Sequence, residues 1–157
     1  MSMEKAKAHL KVYGLEDKIQ VFSVSSATVE LAAQALGCEE KRIAKTLSFD
    51  QGGRTVLVVA AGDAKVDNAG YKAFFGCKAR MLPAAEVEER IGHAVGGVCP
   101  FGVHEGVRIY LDESLRRFDT VYPACGTSDS AVELTMDELE RSSGSLGWID
   151  VCKGWRE

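Results

Sequence analysis

The sequence lacks the features that define several classes of protein. Its longest apolar run, residues 55–62, is far shorter than the ~20 residues of a membrane-spanning helix. Its first residues include Glu4 and no apolar core segment, so they do not predict a signal peptide. There is no repeat, low-complexity tract or linker, and the three prolines are isolated. We therefore expect a single domain over residues 1–157, in the cytoplasm.

A basic excess is also absent. The net charge is −4 and the sequence pI is about 5.5. Proteins that coat nucleic acid usually carry excess positive charge, because phosphate contacts supply most of their non-specific affinity. This composition excludes tight, independent, non-specific binding of nucleic acid, DNA included, and still permits a small local basic site.

The cysteines form no C-x-x-C pair. There are five of them, an odd number, and they are widely spaced. The three histidines show no metal-ligand spacing either. We therefore expect free thiols in a reducing compartment, with no metal ion and no other cofactor.

What is present is an ordinary globular composition, with 46% hydrophobic and 27% charged residues. Apolar periodicity predicts helices over 3–13, 29–36, 67–75 and 84–91, and a last helix that ends near 143–144. Strands are predicted over 19–24, 42–49, 55–61, 78–82, 107–111, 119–122, 131–134 and 148–151. Ser25 and Ser26 are candidate caps of the second helix, 50–53 is a hairpin turn, and Thr135 with Glu138 forms a capping box. Because helices and strands alternate without regular strand–helix–strand order, the class is α/β or α+β, with helices packed on a mixed sheet.

The segment GGVCPFG at 96–102 is the most distinctive loop. Gly96 and Gly97 permit close approach of a ligand to the backbone, and Pro100 makes the turn rigid. Exposed N–H groups in such a turn can bind an anion or a developing oxyanion. A tight structural turn between a helix and a strand explains the same residues.

Lys45 is a second candidate, because it lies inside a predicted strand. Alternation places it on the same face as Ile43 and Leu47. A lysine between apolar neighbours should line a cleft or find a partner. The alternative is a lysine that extends to solvent at a sheet edge.

Asp63 follows an apolar strand, where sheet proteins often place ligand-binding groups. The alternative is a turn that leads into a helix capped at or near Asp67. Cys99, with His93 or His104 as a base, is a candidate thiol nucleophile, although no protease or transferase spacing is present.

Four stretches taken together resemble a known family, the YbaK/EbsC (ProX-type) aminoacyl-tRNA deacylases. These are free-standing relatives of the editing domain of bacterial prolyl-tRNA synthetases. The matching stretches are RIAKTL at 42–47, AGDAKVD at 61–67, HAVGGVCPFG at 93–102 and YPACGT at 122–127. Their order and spacing agree as well, and the resemblance extends over about residues 21–151.

The resemblance implies a twisted, mixed, partly barrel-like sheet surrounded by helices. It implies hydrolysis of a mischarged aminoacyl ester at the 3′ end of a tRNA without a metal, with prolyl-tRNA synthetase as a candidate partner and no membrane. Cysteine and alanine on the tRNA for proline are the leading substrates in the family. The catalytic positions correspond to Lys45, Gly96 and Gly97. The substrate-binding positions correspond to Thr46, Asp63, Val98, Cys99, Pro100, Phe101, Gly126 and Thr127. Many relatives have Ser or Pro in place of Cys99, which favours the loop backbone over that side chain.

Three functions remain open on the sequence. The first is an aminoacyl-tRNA deacylase, and the second is a non-catalytic module that binds a tRNA end or a synthetase. The third is a small cysteine hydrolase that uses Cys99. The presence of Lys45 favours the first over the second.

Overall fold

The computed structural model describes residues 2–23 and 28–156. The helices are α1 (Ser2–Lys11), α2 (Val29–Leu36), α3 (Asn68–Phe75), α4 (Ala84–Ile91) and α5 (Met136–Ser143). The strands are β1 (Ile19–Val21), β2 (Ile43–Gln51), β3 (Arg54–Ala61), β4 (Lys65–Val66), β5 (Arg108–Asp112), β6 (Thr120–Pro123), β7 (Ser130–Val132), β8 (Leu134–Thr135), β9 (Trp148–Ile149) and β10 (Cys152–Lys153). Short 3-10 turns cover Glu16–Lys18, Glu40–Arg42 and Glu113–Arg117.

A six-stranded mixed sheet carries the fold, in the order β8-β6-β2-β3-β5-β9. The β2–β3 and β6–β8 pairs are antiparallel, and the β2–β6, β3–β5 and β5–β9 pairs are parallel. The sheet curls into a half-barrel, and two short antiparallel pairs, β1–β7 and β4–β10, lie beside it. The predicted class, a mixed and partly barrel-like sheet with helices, is confirmed.

The core is built around β3, in which every residue from 55 to 61 is buried. Such a continuous apolar run is typical of a strand covered on both faces. The hairpin from β2 turns at Gly52 and Gly53, since Gln51 pairs with Arg54. The Gly53 N–H donates to Asp50 Oδ1 at 3.0 Å, which closes the turn that the sequence predicts.

The helix caps agree with the sequence only in part: the capping box is as predicted, whereas the cap of α2 is Thr28 and not Ser25 or Ser26. The Glu138 N–H donates to Thr135 Oγ1, and the Thr135 N–H donates to Glu138 Oε1, so the capping box is confirmed. Thr28 caps α2 and accepts from the Leu31 N–H. The predicted caps Ser25 and Ser26, and Val24 of the first predicted strand, lie outside the described residues.

Some predicted strands differ. The strand predicted over 78–82 is wrong: this segment touches the edge of β2 through two backbone hydrogen bonds, Asp50 to Arg80 and Leu82 to Ser48, and continues no further. The strand predicted over 131–134 is divided into β7 and β8, because one part pairs with β1 and the other with β6. The sequence does not predict β4 and β10, since two residues are too few to show alternation.

Candidate active site

The site begins at a gap along one edge of β2. The parallel pairing of β2 with β6 ends at Ala44 and Pro123, and proline has no N–H to continue the ladder. The next backbone hydrogen bond on this edge is the one that Ser48 accepts from Leu82. Because backbone groups two residues apart point the same way, Thr46 directs its N–H and carbonyl into the gap.

A cavity of about 240 Å³ occupies this gap. Its walls come from α2, β2, α4, the loop after α4, and the segment from β6 to β7. They are formed by Thr28, Val29, Ala32, Ile43, Ala44, Lys45, Thr46, Ser48, Val87, Val95, Gly96, Val98, Tyr122, Ala124, Thr127, Ser130 and Ala131. Most of these side chains are small and apolar, which suits a compact ligand with few polar groups.

Lys45 is among the residues that line this cavity. Its Nζ donates to the carbonyl of Gly62 at 3.3 Å and to the carbonyl of Ala64. Burial lowers the pKa of Lys45, while the charge of Asp63 acts in the opposite direction and that of Lys65 adds to the lowering. An ammonium has three N–H donors, so the two carbonyls hold the group in place and leave one donor for a ligand.

The glycine loop is divided between the cavity and the core. Gly96, at φ +95°, lines the cavity together with Val95 and Val98. Gly97 has a different environment: its N–H donates to the Ala94 carbonyl at 3.0 Å, and its Cα packs against Gly126. The sequence predicts the same role for both glycines. In the structure, Gly96 lines the cavity, whereas Gly97 packs against the backbone of Gly126.

The side chains at positions 99–101 point away from the cavity. Cys99, Pro100 and Phe101 are buried, and burial raises the pKa of Cys99 to about 12. His93 is also fully buried, with Nε2 2.6 Å from the Phe101 carbonyl and 3.5 Å from Cys99 Sγ. Burial lowers the pKa of His93.

This arrangement does not activate the thiol. Only a protonated Nε2 can donate to the Phe101 carbonyl, so the basic nitrogen of a neutral His93 is Nδ1. That nitrogen is buried and has no hydrogen-bond partner in the described part of the chain. Cysteine and histidine therefore meet in space, but the histidine nitrogen that faces the thiol carries a proton. Their contact is one of packing.

Asp63 and Thr127 are each held by hydrogen bonds to another side chain. Asp63 accepts from both terminal nitrogens of Arg117, at 2.6 and 3.0 Å. It lies between Gly62 and Ala64, the two residues whose carbonyls hold Lys45. Thr127 Oγ1 donates to Asp129 Oδ1 at 2.6 Å. Thr127 lines the cavity and Asp63 does not.

Sequence reasoning missed one wall of the cavity. Val29 and Ala32, from α2, face it, although their helical spacing is equally typical of a core helix. It also missed Ser48. The alternation of β2 could have indicated this residue, because Ala44, Thr46 and Ser48 lie on one face of the strand. Thr46 Oγ1 is buried beside the cavity with no hydrogen-bond partner among the described residues.

Within residues 2–23 and 28–156, no three His, Cys, Asp or Glu side chains come together as a metal site. No helix of that part of the chain is long and apolar enough to cross a membrane.

A family model described as the aminoacyl-tRNA editing domain matches residues 24–142. The chain belongs to this family, and the resemblance seen in the sequence is confirmed. It is 51% identical over 156 residues to "Uncharacterized protein YwhH" of Bacillus subtilis (strain 168), covering 99% of each chain. It is 30% identical over 120 residues to the proline–tRNA ligase of Leuconostoc citreum (strain KM20), which covers 74% of this chain and only 20% of the ligase.

Among solved structures, the chain matches one described as a candidate trans-editing enzyme for prolyl tRNA synthetase. The TM-score is 0.87, the sequence identity is 30%, and 98% of each chain is covered.

Proposed function

We propose that this protein is an aminoacyl-tRNA deacylase that hydrolyses the ester joining a wrong amino acid to the 3′ end of a tRNA. One observation carries the proposal: Lys45 and Gly96, which lie 51 positions apart in the sequence, line the same small cavity. Membership of the editing-domain family supports the same substrate class. The protein would act in the cytoplasm on tRNA released by a synthetase.

The reaction needs little acid–base machinery, because an aminoacyl ester is already activated. A water oxygen attacks the ester carbonyl, and the bond from that carbon to the ribose oxygen then breaks. The proton lost by the water passes to the departing ribose oxygen, which gives the free amino acid and a tRNA with a free terminal hydroxyl. Positioning of the reactants and stabilisation of the oxyanion are the main requirements.

The residues of the cavity can meet both requirements. We assign the backbone N–H groups of Gly96 and Val98 as donors to the oxyanion. The remaining N–H of Lys45 would bind the ester carbonyl or a phosphate oxygen near it. A polar group of the bound substrate would satisfy the hydroxyl of Thr46, which has no other partner among the described residues.

We propose supporting roles for the other expected site residues. Gly97 and Gly126 hold the loop against its neighbouring segment, and Asp63 holds the turn that carries the acceptors of Lys45. Cys99, Pro100 and Phe101 fill the core beneath the loop. Thr127 contacts the substrate from the part of the wall beside the glycine loop.

Cysteine and alanine on the tRNA for proline are the substrates that we favour. A cavity of about 240 Å³ is below the ~300–1,000 Å³ of sites for drug-sized ligands, so it suits a small acyl group and part of the ribose. Alanines at 32, 44, 124 and 131 keep the walls close together without adding polar groups. The relatives that are proline–tRNA ligases support the choice of tRNA and make prolyl-tRNA synthetase a candidate partner.

The test is a deacylation panel with the purified chain. The tRNA for proline is charged in turn with alanine, cysteine, serine and proline, and release of each amino acid is followed with and without the protein. We expect faster release of alanine or cysteine than of proline, and loss of this activity in Lys45→Ala. Release at the protein-free rate for every substrate would overturn the proposal and favour the non-catalytic binding module.

A further inference from the structure

Strands β4 and β10 place two lysines directly opposite each other on the surface. Lys65 pairs with Lys153 in antiparallel register, and both residues are exposed. Like charges in opposite positions of a strand pair are destabilising. Neither lysine forms an ion pair with another described residue. A bound anion would neutralise this pair.

The positive surface continues along the chain after β10. The Arg156 guanidinium lies over the Trp155 ring at 4.1 Å, and that of Arg117 lies 5.1 Å from the same ring. Arg117 also lies 4.7 Å from the ring of Phe118. These groups line an open hollow with Lys41. We call the set of Lys41, Lys65, Arg117, Lys153, Trp155 and Arg156 the basic-aromatic surface.

Three carboxylates contact this surface, and they do not cancel it. Asp63 pairs with Arg117 at 2.6 Å, and Asp150 pairs with Arg156 at 2.6 Å. Glu39 lies 3.4 Å from Lys41. The two aspartate pairs fix the guanidinium planes of Arg117 and Arg156, while Lys65 and Lys153 remain unneutralised. The charges of Asp112 and Glu113 also act on Arg156, so the unpaired positive charge of this surface is that of Lys65 and Lys153.

The surface adjoins the proposed catalytic lysine through the turn at residues 62–64. On the inner side of this turn, the carbonyls of Gly62 and Ala64 hold Lys45 Nζ. On the outer side, Asp63 holds Arg117. The charge of Lys65 is near enough to Lys45 to contribute to the lowering of its pKa. The turn at residues 62–64 therefore joins the proposed catalytic lysine to the basic-aromatic surface.

We propose that the basic-aromatic surface binds the phosphodiester backbone of the tRNA strand leading to the ester-bearing terminal nucleotide. This inference rests on the proposed function, which places that terminal nucleotide at the cavity. Lysines supply point charges for phosphates, and aromatic and guanidinium planes are the surfaces on which single-stranded RNA bases stack. The surface thus supplies the phosphate contacts that the composition of the whole chain does not.

The test measures binding of uncharged tRNA by fluorescence anisotropy over a range of salt concentrations. The variant is the double substitution Lys65→Ala/Lys153→Ala, and the matched control is Lys78→Ala, an exposed lysine elsewhere in the chain. For the unmodified protein we expect a shallow salt slope, which corresponds to a few phosphate contacts. For the double variant we expect about tenfold weaker binding. The slope should also be smaller by about 1.4, since each of the two lost single-strand phosphate contacts reduces it by about 0.7.

Equal affinity and equal slope in the double variant and in Lys78→Ala would overturn this inference. Arg156→Ala gives a second test, because Arg156 stacks on Trp155. We expect this variant also to bind tRNA more weakly and with a smaller salt slope. Because the ligand is uncharged tRNA, the result does not depend on hydrolysis. Loss of binding in these variants without any deacylation by the unmodified protein would retain the surface and reject the proposed function. Deacylation by the unmodified protein, together with unaltered tRNA binding in these variants, would retain the proposed function and reject the surface.

Discussion

Gly97 lies so close to Gly126 that a β-carbon on Gly97 would come within 2.5 Å of the Gly126 carbonyl group. This contact joins two segments that the family resemblance identifies separately, the glycine loop and the segment after β6. With the loop docked in this way, Gly96, Val98 and Thr127 all line the cavity. The importance of Gly97 follows from its packing, since its N–H is already bonded to Ala94.

We expect Gly97→Ala to lower deacylation by about 10²-fold, the range found for loss of one preorganised donor site. The new β-carbon cannot fit against backbone atoms at 2.5 Å, so the loop must move away and displace the proposed donors of Gly96 and Val98. Initial rates on mischarged tRNA measure the effect. Circular dichroism melts show whether the variant remains folded under the assay conditions.

Cys99→Ser is the matched control in the same loop. Its side chain is buried beneath the loop, and the Phe101 carbonyl is available to accept from a serine hydroxyl. We expect this variant to retain most of the activity. The reverse ranking, an inactive but folded Cys99→Ser together with an active Gly97→Ala, would favour a thiolate mechanism.

Substitution of Lys45 separates its charge from its packing. Lys45→Met keeps most of the aliphatic stem and removes the ammonium, and Lys45→Ala removes both. We expect each to lower deacylation by about 10²-fold or more. Stability should fall by about 1 kcal/mol in each case, because the carbonyls of Gly62 and Ala64 lose their donor.

The two lysine variants should therefore have similar deacylation rates and similar stability. Single-turnover rates and urea unfolding at one pH measure both properties. Near-normal turnover in a folded Lys45→Met would show that the positive charge is not required, and would remove Lys45 from the mechanism.

Much of the fold could be predicted from local patterns. The buried run of β3, the hairpin at Gly52 and the capping box at Thr135 each have a signal within a few residues. The pairing of β4 with β10 joins residues 65–66 to residues 152–153, and two-residue strands carry no alternation that would reveal it. The segment predicted as a strand at 78–82 has suitable composition, but it meets β2 only at its edge.

The site was only partly predictable for a related reason. The alternation of β2 points to Lys45, and composition points to the glycine loop, but neither shows which loop atoms reach the cavity. That division depends on Gly97 meeting Gly126, a contact between distant segments. The same holds for Asp63, whose partner Arg117 lies 54 residues away.

Thiol labelling gives an independent test of the cysteine hydrolase. Cys99, Cys125 and Cys152 are buried, and burial raises the pKa of both Cys99 and Cys152 to about 12. Burial also raises the pKa of Cys38, but Cys38 and Cys77 are partly exposed and therefore accessible to a reagent. Since the thiolate is the reactive form, iodoacetamide at pH 7 should modify the native protein at Cys38 and Cys77 and spare the other three until the chain is unfolded. Peptide mass spectrometry locates the labels, and rapid native labelling of Cys99 with loss of deacylation would contradict the mechanism proposed here.

The pair of Asp63 and Arg117 should make a pH-dependent contribution to stability. Burial acts to raise the pKa of Asp63, but the hydrogen bonds and charge of Arg117 outweigh it and hold the pKa below its ordinary value. A carboxyl with a lowered pKa in the folded state stabilises that state fully above its unfolded pKa of about 3.9, and the contribution is lost as the pH falls through the folded pKa. Asp63→Asn should therefore lower the free energy of unfolding at pH 7 by at most about 1 kcal/mol, a discounted value because the Asp63 side chain is 34% exposed. The difference between the two proteins should be constant well above pH 4 and should shrink as the pH falls below it. Urea unfolding at pH 7, 5 and 3 measures it.

Asp137→Asn is the control, since its partner Arg141 and the aspartate itself are both highly exposed, and we expect almost no effect at any pH. A difference for Asp63→Asn that stays constant across this range would mean that the substitution acts through the packing of the 62–64 turn and not through the ion pair.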